Sequence, residues 1–471
     1  MSYENAVASM FALGHELAHT PSNKFDLAHM RVLLREMNHP ERAFPSVLIA
    51  GTNGKGSTAA TLASILRASG LKTGLYTSPH LIRINERIRV NGDEIGDDDF
   101  ARLHGEADRV AERLVEQKQL PWHPSFFEMM TAIAFAHFAQ EEVEIAVLEV
   151  GMGGRLDATN VVEPLVSVIA DISLDHQKFL GNTVGEIARE KVGIIRPGGV
   201  AVTLPQQPEA NNVIGNTILD LGARGVSAVQ YVPPVSPGST DYFVQRTRSE
   251  APLTAENAET PTEGAEKSNT LAFYRYPLQV MGKQILVETP LVGRHQLRNV
   301  ALAVAAAEEL SKLGVAGITP ESIERGIRET RWPGRFQVLP ARAGWPKIVF
   351  DVAHNPAGAW ALRSALSEHY DNRPLVFVFG AMRDKAISEM TEILFPLAER
   401  VIATRPENPR SASPEEVQEA AKRTGAEIEP VAEVGEALER ARDTAGPGTV
   451  IVVTGSIYLV GEAMSFLKVR S

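Results

Sequence analysis

The 471-residue chain contains no cysteine, which excludes disulfide bridges, thiolate metal sites and cysteine nucleophiles. It has no long apolar run either, because stretches such as 300–307 are far shorter than the about 20 residues that a membrane-spanning helix needs. Its first residues carry no basic segment ahead of an apolar stretch, so no secretory signal is expected. These absences predict a cytoplasmic protein without a membrane partner.

Positive charge is also in deficit, with 47 lysines and arginines against 58 aspartates and glutamates. The net charge of −11 argues against duplex nucleic acid as the main partner. Hydrophobic residues make up 44% of the chain and charged residues 22%, which is typical of a folded globular protein. A chain of this length exceeds one ordinary core, so we expect two domains in a monomer.

Short apolar runs alternate with helical patterns in the first half of the chain. The runs that read as strands are 46–50, 72–77, 145–150, 166–171 and 199–204. Apolar positions at helical spacing occur in 30–37, 57–70 and 128–139. Continuous apolar strands that alternate with helices predict a mostly parallel sheet flanked by helices on both faces.

A stretch near 235–270 interrupts this alternation. It is rich in Glu, Pro, Thr and Ala and has almost no large apolar residue. We therefore predict a disordered or loosely ordered acidic insertion, with an acidic binding tail as the alternative. The β-branched and aromatic residues that follow flank Met281 and Gly282, and they predict a hairpin.

A second alternation of strands and helices follows the insertion. One of its helices is marked by Ser413 and Glu416, which form a capping box. We predict an α/β fold with two domains, a P-loop-type domain with a mostly parallel sheet over 1–333 and a smaller Rossmann-like domain over 334–471. Ligands of such pairs favour the interdomain cleft, and the linker is the expected hinge.

The strongest chemical signal is the glycine-rich segment GTNGKGST, residues 51–58, between a predicted strand and a predicted helix. Its glycines let backbone N–H groups face an anion, the helix N-terminus favours negative charge, and Lys55 supplies a point charge for phosphates. The Ser57 hydroxyl is placed to reach Mg²⁺. The match to the common pattern is imperfect, because Ile49 replaces its first glycine and Gly56 follows the lysine. A glycine-rich turn without a ligand is the alternative.

Polar residues that follow other predicted strands are further candidates. Glu149 precedes the glycine-rich stretch 151–160, where a carboxylate is placed to hold Mg²⁺ unless it is a solvated strand end. Asp175 and His176 offer metal or acid–base chemistry, or simply a capped helix start. Lys191 has the pattern of a solvated helix lysine. Candidates for ribose and phosphate contacts in the second domain are Asp351, His354 and Arg335.

Nine motifs stand in order between about residues 44 and 462. They are GTNGKGST, TSPHLIRINERIRVNG, FFEMMTAIAF, LEVGMGGRLDATN, DHQKFLG, LVGRHQLRN, WPGRF, FDVAHNP and TGSIYLVGE. Together they resemble the folate branch of the Mur ligase superfamily, which comprises folylpolyglutamate synthases and bacterial bifunctional dihydrofolate synthases. One such motif is moderately specific, and nine in register make the resemblance strong.

The resemblance implies an ATP-dependent carbon–nitrogen ligase. In this family ATP phosphorylates the terminal carboxylate of a pteroate or folate, and the amine of L-glutamate then displaces phosphate from the acyl phosphate. Folate or dihydropteroate, L-glutamate and ATP are therefore the expected partners, with two Mg²⁺ ions as cofactors. Lys55 and Mg²⁺ would neutralise the charge of the transferred phosphoryl group.

The resemblance also assigns roles to individual positions. Lys55, His176 and Lys191 would be catalytic. Ser57 and Glu149 would hold one Mg²⁺, and Glu149, His176 and a carbamylated Lys191 the second. The other positions would bind ATP (Thr52, Asn53, Gly54, Lys55, Gly56, Ser57, Thr58, Gln296, Asn299, Arg335, Asp351 and His354), folate (Ser78, Pro79, His80, Phe126 and Phe127) and the glutamate side (Asp384 and Lys385).

Two alternatives remain open at this point. A UDP-muramoyl amino-acid ligase of the same superfamily also carries GTNGK, but behind a complete UDP-binding domain, for which the fifty residues before the loop are too few. The other is a phosphate-loop NTPase switch without ligase activity. Asn23, Lys24 and Asp26 spell a guanine-reading N-K-x-D, although it precedes the loop instead of following a later strand.

Overall fold

In a computed structural model the chain forms two compact units. The described residues are 1–14, 26–234, 243–247, 270–342 and 344–469. Unit 1 comprises Met1–Pro233, Leu278–Ile285 and His295–Arg331, and unit 2 comprises Pro234–Pro277, Leu286–Arg294 and Trp332–Ser471. Besides the stretch that starts at Trp332, unit 2 therefore takes in two earlier segments.

Unit 1 is built on an eight-stranded sheet. Its strands are β1 (Ser46–Ala50), β2 (Thr73–Tyr76), β3 (Ile88–Val90), β4 (Asp93–Glu94), β5 (Ile145–Glu149), β6 (Val166–Ile169), β7 (Val200–Thr203) and β8 (Arg224–Ser227). They lie in the order β4-β3-β2-β5-β1-β6-β7-β8, with β3 and β4 antiparallel at one edge and the other six strands parallel. This confirms the predicted, mostly parallel sheet.

The central strands explain why their sequences are uniformly apolar. Every residue of β1, β5 and β6 is buried. Because successive side chains of a strand point to opposite faces, the sheet is covered on both faces. The helices of this part of the chain are α1 (Tyr3–Ala12), α2 (Leu27–Glu36), α3 (Lys55–Ala68), α4 (Asp97–Glu116), α5 (Phe126–Gln140), α6 (Gln177–Leu180), α7 (Val184–Lys191), α8 (Pro208–Asp220), α9 (Arg294–Lys312) and α10 (Pro320–Arg328).

The predicted hairpin is present, while the acidic insertion is described only in part. Strands β9 (Phe243–Thr247), β10 (Thr270–Val280) and β11 (Lys283–Thr289) form a sheet in the order β11-β10-β9. The hairpin turn lies at Met281 and Gly282, which both have positive φ, as a tight hairpin turn requires. Within the predicted insertion, β9 pairs with β10, so loose order is wrong for these five residues. The rest of the insertion, 235–242 and 248–269, lies outside the described residues.

Unit 2 carries a six-stranded sheet. Its strands are β12 (Gln337–Leu339), β13 (Lys347–Phe350), β14 (Leu375–Phe379), β15 (Arg400–Ala403), β16 (Ile428–Pro430) and β17 (Val450–Thr454), in the order β12-β13-β17-β14-β15-β16 with only β12 antiparallel. Its helices are α11 (Pro356–Tyr370), α12 (Ile387–Leu394), α13 (Pro414–Ala420), α14 (Val434–Thr444) and α15 (Ile457–Phe466). The capping box predicted at Ser413 and Glu416 is confirmed at the start of α13.

Two further expectations concern single segments. Asn23 and Lys24 of the guanine-reading pattern lie outside the described residues, and Asp26 caps α2 by accepting a hydrogen bond from the backbone N–H of Ala28 (2.8 Å). Among the helices of the described ranges, none is long and apolar enough to cross a membrane.

Candidate active site

The sequence-predicted residues of unit 1 gather at one edge of its sheet. Strands β2, β5, β1 and β6 are parallel neighbours, so their carboxyl ends lie side by side. In open α/β sheets, ligands bind at this edge. The segments that leave these four strands begin with Thr77, Val150, Gly51 and Ala170.

The glycine-rich loop is held against the segment that follows β6. The backbone N–H groups of Thr52 and Asn53 donate to the carbonyl oxygen of Asp171 at 2.8 and 3.1 Å. The Thr52 hydroxyl donates to the carbonyl of Ser173 and accepts from its N–H at 3.0 and 3.1 Å. Asn53 donates through Nδ2 to the Ser173 hydroxyl at 3.1 Å. These bonds fix the first half of the loop.

Helix α3 begins directly at the loop. Gly54 caps it with φ +84°, a left-handed conformation that glycine adopts without strain. A Cβ at this position would lie 2.2 Å from Oδ1 of Asn299, so glycine is also required for space. Gly56 and Ser57 follow Lys55 in the buried first turn, whose N–H groups point towards the helix start. The loop therefore ends at a helix N-terminus that favours an anion.

Two hydroxyls and one lysine belong to this first turn. Ser57 and Thr58 are buried. Within the described residues, the Thr58 hydroxyl has no hydrogen-bond partner. Lys55 Nζ donates to the carbonyl of Thr52 at 3.3 Å. A buried hydroxyl of this kind is expected to find an acceptor, which a bound phosphate group would supply.

Lys191, at the end of α7, is buried beside the same loop. Its Nζ donates to the carbonyl oxygen of Gly51 at 2.8 Å. The pKa of Lys191 is lowered to about 7, mainly by burial and also by the neighbouring positive charge of Lys55, whereas Asp175 and Asp157 act in the opposite direction. Lys191 is therefore no solvated surface lysine, and a large fraction of its amine is neutral near pH 7.

Glu149 is the last residue of β5 and is buried. Its Oε2 accepts a hydrogen bond from the backbone N–H of Ser78 at 3.1 Å, which links the carboxylate to the segment after β2. The glycines after Glu149 allow close approach of the chain to itself. A Cβ on Gly151 would lie 2.5 Å from the ring of Phe127, and one on Gly154 would lie 2.8 Å from the carbonyl of Lys191. These contacts bring Glu149, Phe127 and Lys191 into one neighbourhood.

His176 begins the short helix α6 with φ +49°. Its backbone N–H donates to Oδ1 of Asp175 at 2.8 Å, and its Nε2 lies 3.9 Å from Oδ2 of the same carboxylate. Since Asp175 also acts electrostatically on Lys191, these side chains belong to the same end of the sheet. His176 therefore stands at a helix start, as one alternative for this pair expected, and its metal or acid–base role remains a prediction.

The predicted folate residues lie on the β2 and α5 side of Glu149. A cis peptide bond joins Ser78 and Pro79. His80 Nδ1 accepts from Nε of the buried Arg87 at 2.8 Å, and the Arg87 guanidinium lies 5.1 Å from the ring centre of Phe126. A cation and aromatic rings thus border the predicted folate position, a combination suited to a flat, polar heterocycle.

Gln296 and Asn299, the predicted adenine-side residues, are buried on α9. Asn299 Nδ2 donates to Oε1 of Gln296 at 2.8 Å. Because Asn299 also abuts Gly54, this part of α9 borders the phosphate loop.

The other predicted ATP residues belong to unit 2. Asp351 follows β13 and is buried, and its two carboxylate oxygens accept from the backbone N–H groups of Phe336 and Ala353 at 2.8 and 2.9 Å. Burial raises the pKa of Asp351, whereas Arg335 and these two bonds act to lower it. His354 Nδ1 lies 2.9 Å from the carbonyl of Val352. The structure thus gives Asp351 a local structural role, and its nucleotide contact remains a prediction.

The predicted glutamate-side residues follow β14 in unit 2. Asp384 Oδ1 lies 4.0 Å from Nη1 of Arg410, and the backbone N–H of Lys385 donates to the carbonyl of Met382 at 3.1 Å. Both side chains therefore stand on a loop at the carboxyl edge of that sheet.

A metal ion would need oxygen donors at the loop. No cluster of three or more His, Asp or Glu side chains that could hold a metal occurs among the described residues. Mg²⁺ commonly takes only one or two protein oxygens and completes its shell with phosphates and water. The Ser57 hydroxyl and the Glu149 carboxylate, both buried at this edge, fit such a partial donor set.

Pattern reasoning missed several residues that hold this site together. Asp157 accepts hydrogen bonds from the N–H groups of Met152 and Thr159 at 2.9 and 3.0 Å and so fixes the glycine-rich turn. Asp171 anchors the phosphate loop through its backbone. Arg87 gave no signal as a buried cation. The position of Asp157 in a glycine-rich turn is a weak hint of its role. The contacts of Asp171 with the phosphate loop and of Arg87 with Phe126 join residues too far apart in the sequence for a local pattern to show them.

Comparison with known proteins places the chain in a family. Residues 334–457 match the family described as Mur ligase, glutamate ligase domain. The dihydrofolate synthase/folylpolyglutamate synthase of Bacillus subtilis is 32% identical over 443 residues, which cover 94% of this chain and 95% of the relative.

Solved structures agree with this relationship. Mycobacterium tuberculosis folylpolyglutamate synthase, complexed with ADP and AMPPCP, is similar with a TM-score of 0.81 and 31% identity over 99% of both chains. An FPGS–AMPPCP–folate complex is similar with a TM-score of 0.74 and 29% identity, over 99% of this chain and 100% of the other. The resemblance predicted from the nine motifs is confirmed, and the chain belongs to the dihydrofolate synthase/folylpolyglutamate synthase family of the Mur ligase superfamily.

Proposed function

We propose that this protein is an ATP-dependent ligase that joins L-glutamate to the terminal carboxylate of folates, and also to dihydropteroate. The bacterial relative that spans nearly the whole chain carries both activities in its name, which supports two acceptors. These relatives favour the folate interpretation over a UDP-muramoyl ligase and over a non-ligating switch.

One observation carries the proposal. Lys55, the buried Lys191 and the N-terminus of α3 surround a single loop at the carboxyl edge of a parallel sheet. Lys55 and the helix N-terminus place positive charge beside the loop, which favours a bound anion. A nucleoside triphosphate supplies such an anion, and its phosphates would lie along the loop N–H groups.

The proposed reaction is the one that the family resemblance implies. A carboxylate oxygen of the folate attacks the γ-phosphorus of ATP, and the bond to the β-phosphate oxygen breaks to release ADP. The amine of glutamate then attacks the acyl carbon, the carbon–oxygen bond to phosphate breaks, and the amine loses a proton. Lys55 would stabilise the charge on the transferred phosphoryl group, which is the main task in such transfers.

We propose that Mg²⁺ is held by Ser57 and Glu149 and that it would neutralise charge on the phosphates. A second ion would require an anionic ligand at Lys191. A lysine amine reacts with carbon dioxide only in its neutral form, and burial lowers the Lys191 pKa to about 7, which supports carbamylation. Asp175 and His176 border this position.

The folate would lie next to Glu149, where Ser78, His80, Phe126 and Phe127 border the loop neighbourhood. In unit 2, we propose nucleotide contacts for Arg335, Asp351 and His354, and glutamate contacts for Asp384 and Lys385. These assignments rest on the matched motifs, and for Asp351 and His354 also on their position just after β13.

The test is an assay with ATP, Mg²⁺ and L-glutamate that compares dihydropteroate with reduced folates as acceptor. We expect ADP release that depends on the acceptor and a product heavier by one glutamyl residue, detected by mass spectrometry. ADP release without a glutamylated product would contradict the ligase, and activity with folates alone would remove dihydropteroate from the proposal.

A further inference from the structure

Arg298 lies on α9 between Gln296 and Asn299, and its guanidinium forms an ion pair with the carboxylate of Asp171. Arg298 Nε lies 3.2 Å from Oδ1 and 3.1 Å from Oδ2 of the carboxylate, and Nη2 lies 2.6 Å from Oδ1. Contacts from two nitrogens to both oxygens fix the orientation of the pair as well as its distance. About one third of each side chain is exposed.

Asp171 also holds the phosphate loop, but through its backbone. Its carbonyl oxygen accepts the N–H groups of Thr52 and Asn53 at 2.8 and 3.1 Å. One residue thus connects α9 through its side chain with the loop through its main chain. The three elements come from distant parts of the sequence, so no local pattern sets their spacing.

The segment that carries Asp171 is braced on its other side. Arg298 Nη2 donates to the carbonyl of Pro205 at 3.0 Å. The Gln206 side chain accepts from the N–H of Ile172 at 3.0 Å and donates to the carbonyl of Ala170 at 3.2 Å. Asp171 therefore has little freedom to follow Arg298 if α9 moves, and the pair resists displacement of the helix.

Helix α9 packs so closely against the phosphate loop that there is little space for it to move towards the loop. A Cβ on Gly54 would lie 2.2 Å from Oδ1 of Asn299, so the amide of α9 stands directly against the loop. A small shift of α9 towards the loop would close the space beside Gly54. A shift away would separate Gln296 and Asn299 from any nucleotide on the loop.

We propose that the Arg298–Asp171 pair is a positioning clamp that keeps the nucleotide-side stretch of α9 in register with the phosphate loop and so sets the affinity for ATP. This inference rests on the proposed function, because it takes the loop to bind ATP. Arg298 acts through Asp171 and through the placement of Asn299, so it is a positioning residue. A surface ion pair commonly contributes little even to folding stability, so a change in nucleotide affinity would distinguish the clamp from such a pair.

The test measures KM for ATP, kcat, and the dissociation constant of AMPPCP in Arg298→Ala, Arg298→Lys and Asp171→Asn variants of the full chain. For Arg298→Ala we expect KM for ATP and the AMPPCP dissociation constant to rise about tenfold, since contacting groups couple by this order. We expect kcat and KM for glutamate to change by less than about threefold. Arg298→Lys keeps the charge without the two-point contact, so its effect should be intermediate.

Coupling gives a second readout that a purely structural role would not move. The double variant Arg298→Ala with Asp171→Asn should be no worse for AMPPCP than either single variant, because both remove the same interaction. Arg102→Ala is the matched control, since Arg102 pairs with Asp99 and Glu106 at 2.8 and 3.2 Å on the surface of α4. It should leave KM for ATP unchanged.

The outcomes separate the clamp from the proposed function. Wild-type protein that neither binds AMPPCP nor consumes ATP would overturn both. Active wild-type protein with an unchanged KM for ATP in Arg298→Ala would overturn the clamp and leave the ligase intact. A fall in kcat and melting temperature without a change in nucleotide affinity would also overturn the clamp.

Discussion

The two units differ in the groups that follow one strand of each sheet, β1 in unit 1 and β13 in unit 2. In unit 1, the segments after β1 and β6 lead to a helix N-terminus, Lys55 and the buried Lys191. In unit 2, the segment after β13 begins with the buried carboxylate of Asp351. We propose phosphate contacts at the first edge and a ribose contact at the second. Similar α/β sheets thus acquire different chemistry from a few residues at strand ends.

The largest effect should come from removing the cation at the first edge. Lys55→Ala is expected to lower kcat for product formation by about 10³-fold, because a group that stabilises transition-state charge is lost. Steady-state assays of glutamylated product, with circular dichroism to check the fold, measure this. Lys72→Ala removes an exposed cation paired with Glu141 and serves as the control. Equal activity in Lys55→Ala and the control would remove the contrast between the two edges.

The next effect tests the geometry of that edge. Gly54→Ala places a Cβ against Asn299 and strains a backbone at φ +84°, so we expect kcat/KM for ATP to fall about 10²-fold. Gly70→Ala is a matched control, because Gly70 has φ +88° and open space around it. The control should lose stability through strain without a change in KM. If kcat/KM for ATP fell as far in Gly70→Ala as in Gly54→Ala, backbone strain and not the contact with Asn299 would explain the loss.

At the second edge, Asp351→Asn replaces an acceptor of two backbone N–H groups with an amide that can accept through one oxygen only. We expect the free energy of unfolding to drop by about 1–3 kcal/mol. Urea unfolding followed by tryptophan fluorescence reports this, since Trp332, Trp345 and Trp360 belong to unit 2. Exposed Asp371→Asn is the control. A change in KM for ATP without a change in stability would favour a purely nucleotide-binding role.

The smallest effect concerns the pH dependence of unit 2. Burial lowers the pKa of His369 to about 4, below its ordinary value of about 6.5. The unfolded chain therefore binds more protons between these values, and stability should fall as pH decreases through this window. We expect about 1 kcal/mol between pH 6.5 and 5.5 from this group, and a flatter profile in His369→Phe. If the free energy of unfolding from urea titrations changed with pH in the same way in His369→Phe and in the wild-type protein, the assignment to His369 would be wrong.

The fold was largely predictable because local sequence encodes it. Uniformly apolar strands predicted the parallel sheet, and the Ser413 capping box and the Met281–Gly282 turn set element ends through interactions within a few residues. The strand Phe243–Thr247 was missed because its pairing with β10 crosses the acidic segment. Local composition cannot show a pairing partner at that distance.

The site was predictable where chemistry follows a strand directly. The loop at Lys55 and the acid at Glu149 were found in this way, and their roles remain predictions. The contacts that hold this edge together could not be predicted, because Ser78–Glu149 and Arg298–Asp171 join residues 71 and 127 positions apart. Lys191 looked solvated in the sequence and is buried in the structure, because its environment comes from Gly51 and Lys55 and not from α7 alone.

The way the chain passes between the units constrains its synthesis. It changes unit after Pro233, Pro277, Ile285, Arg294 and Arg331, so no continuous fragment contains all of unit 2 without part of unit 1. On the ribosome, residues 234–277 emerge before unit 1 receives its last segment and long before β13 exists. Unit 2 is therefore complete only once Trp332–Ser471 has been synthesised, after every segment of unit 1.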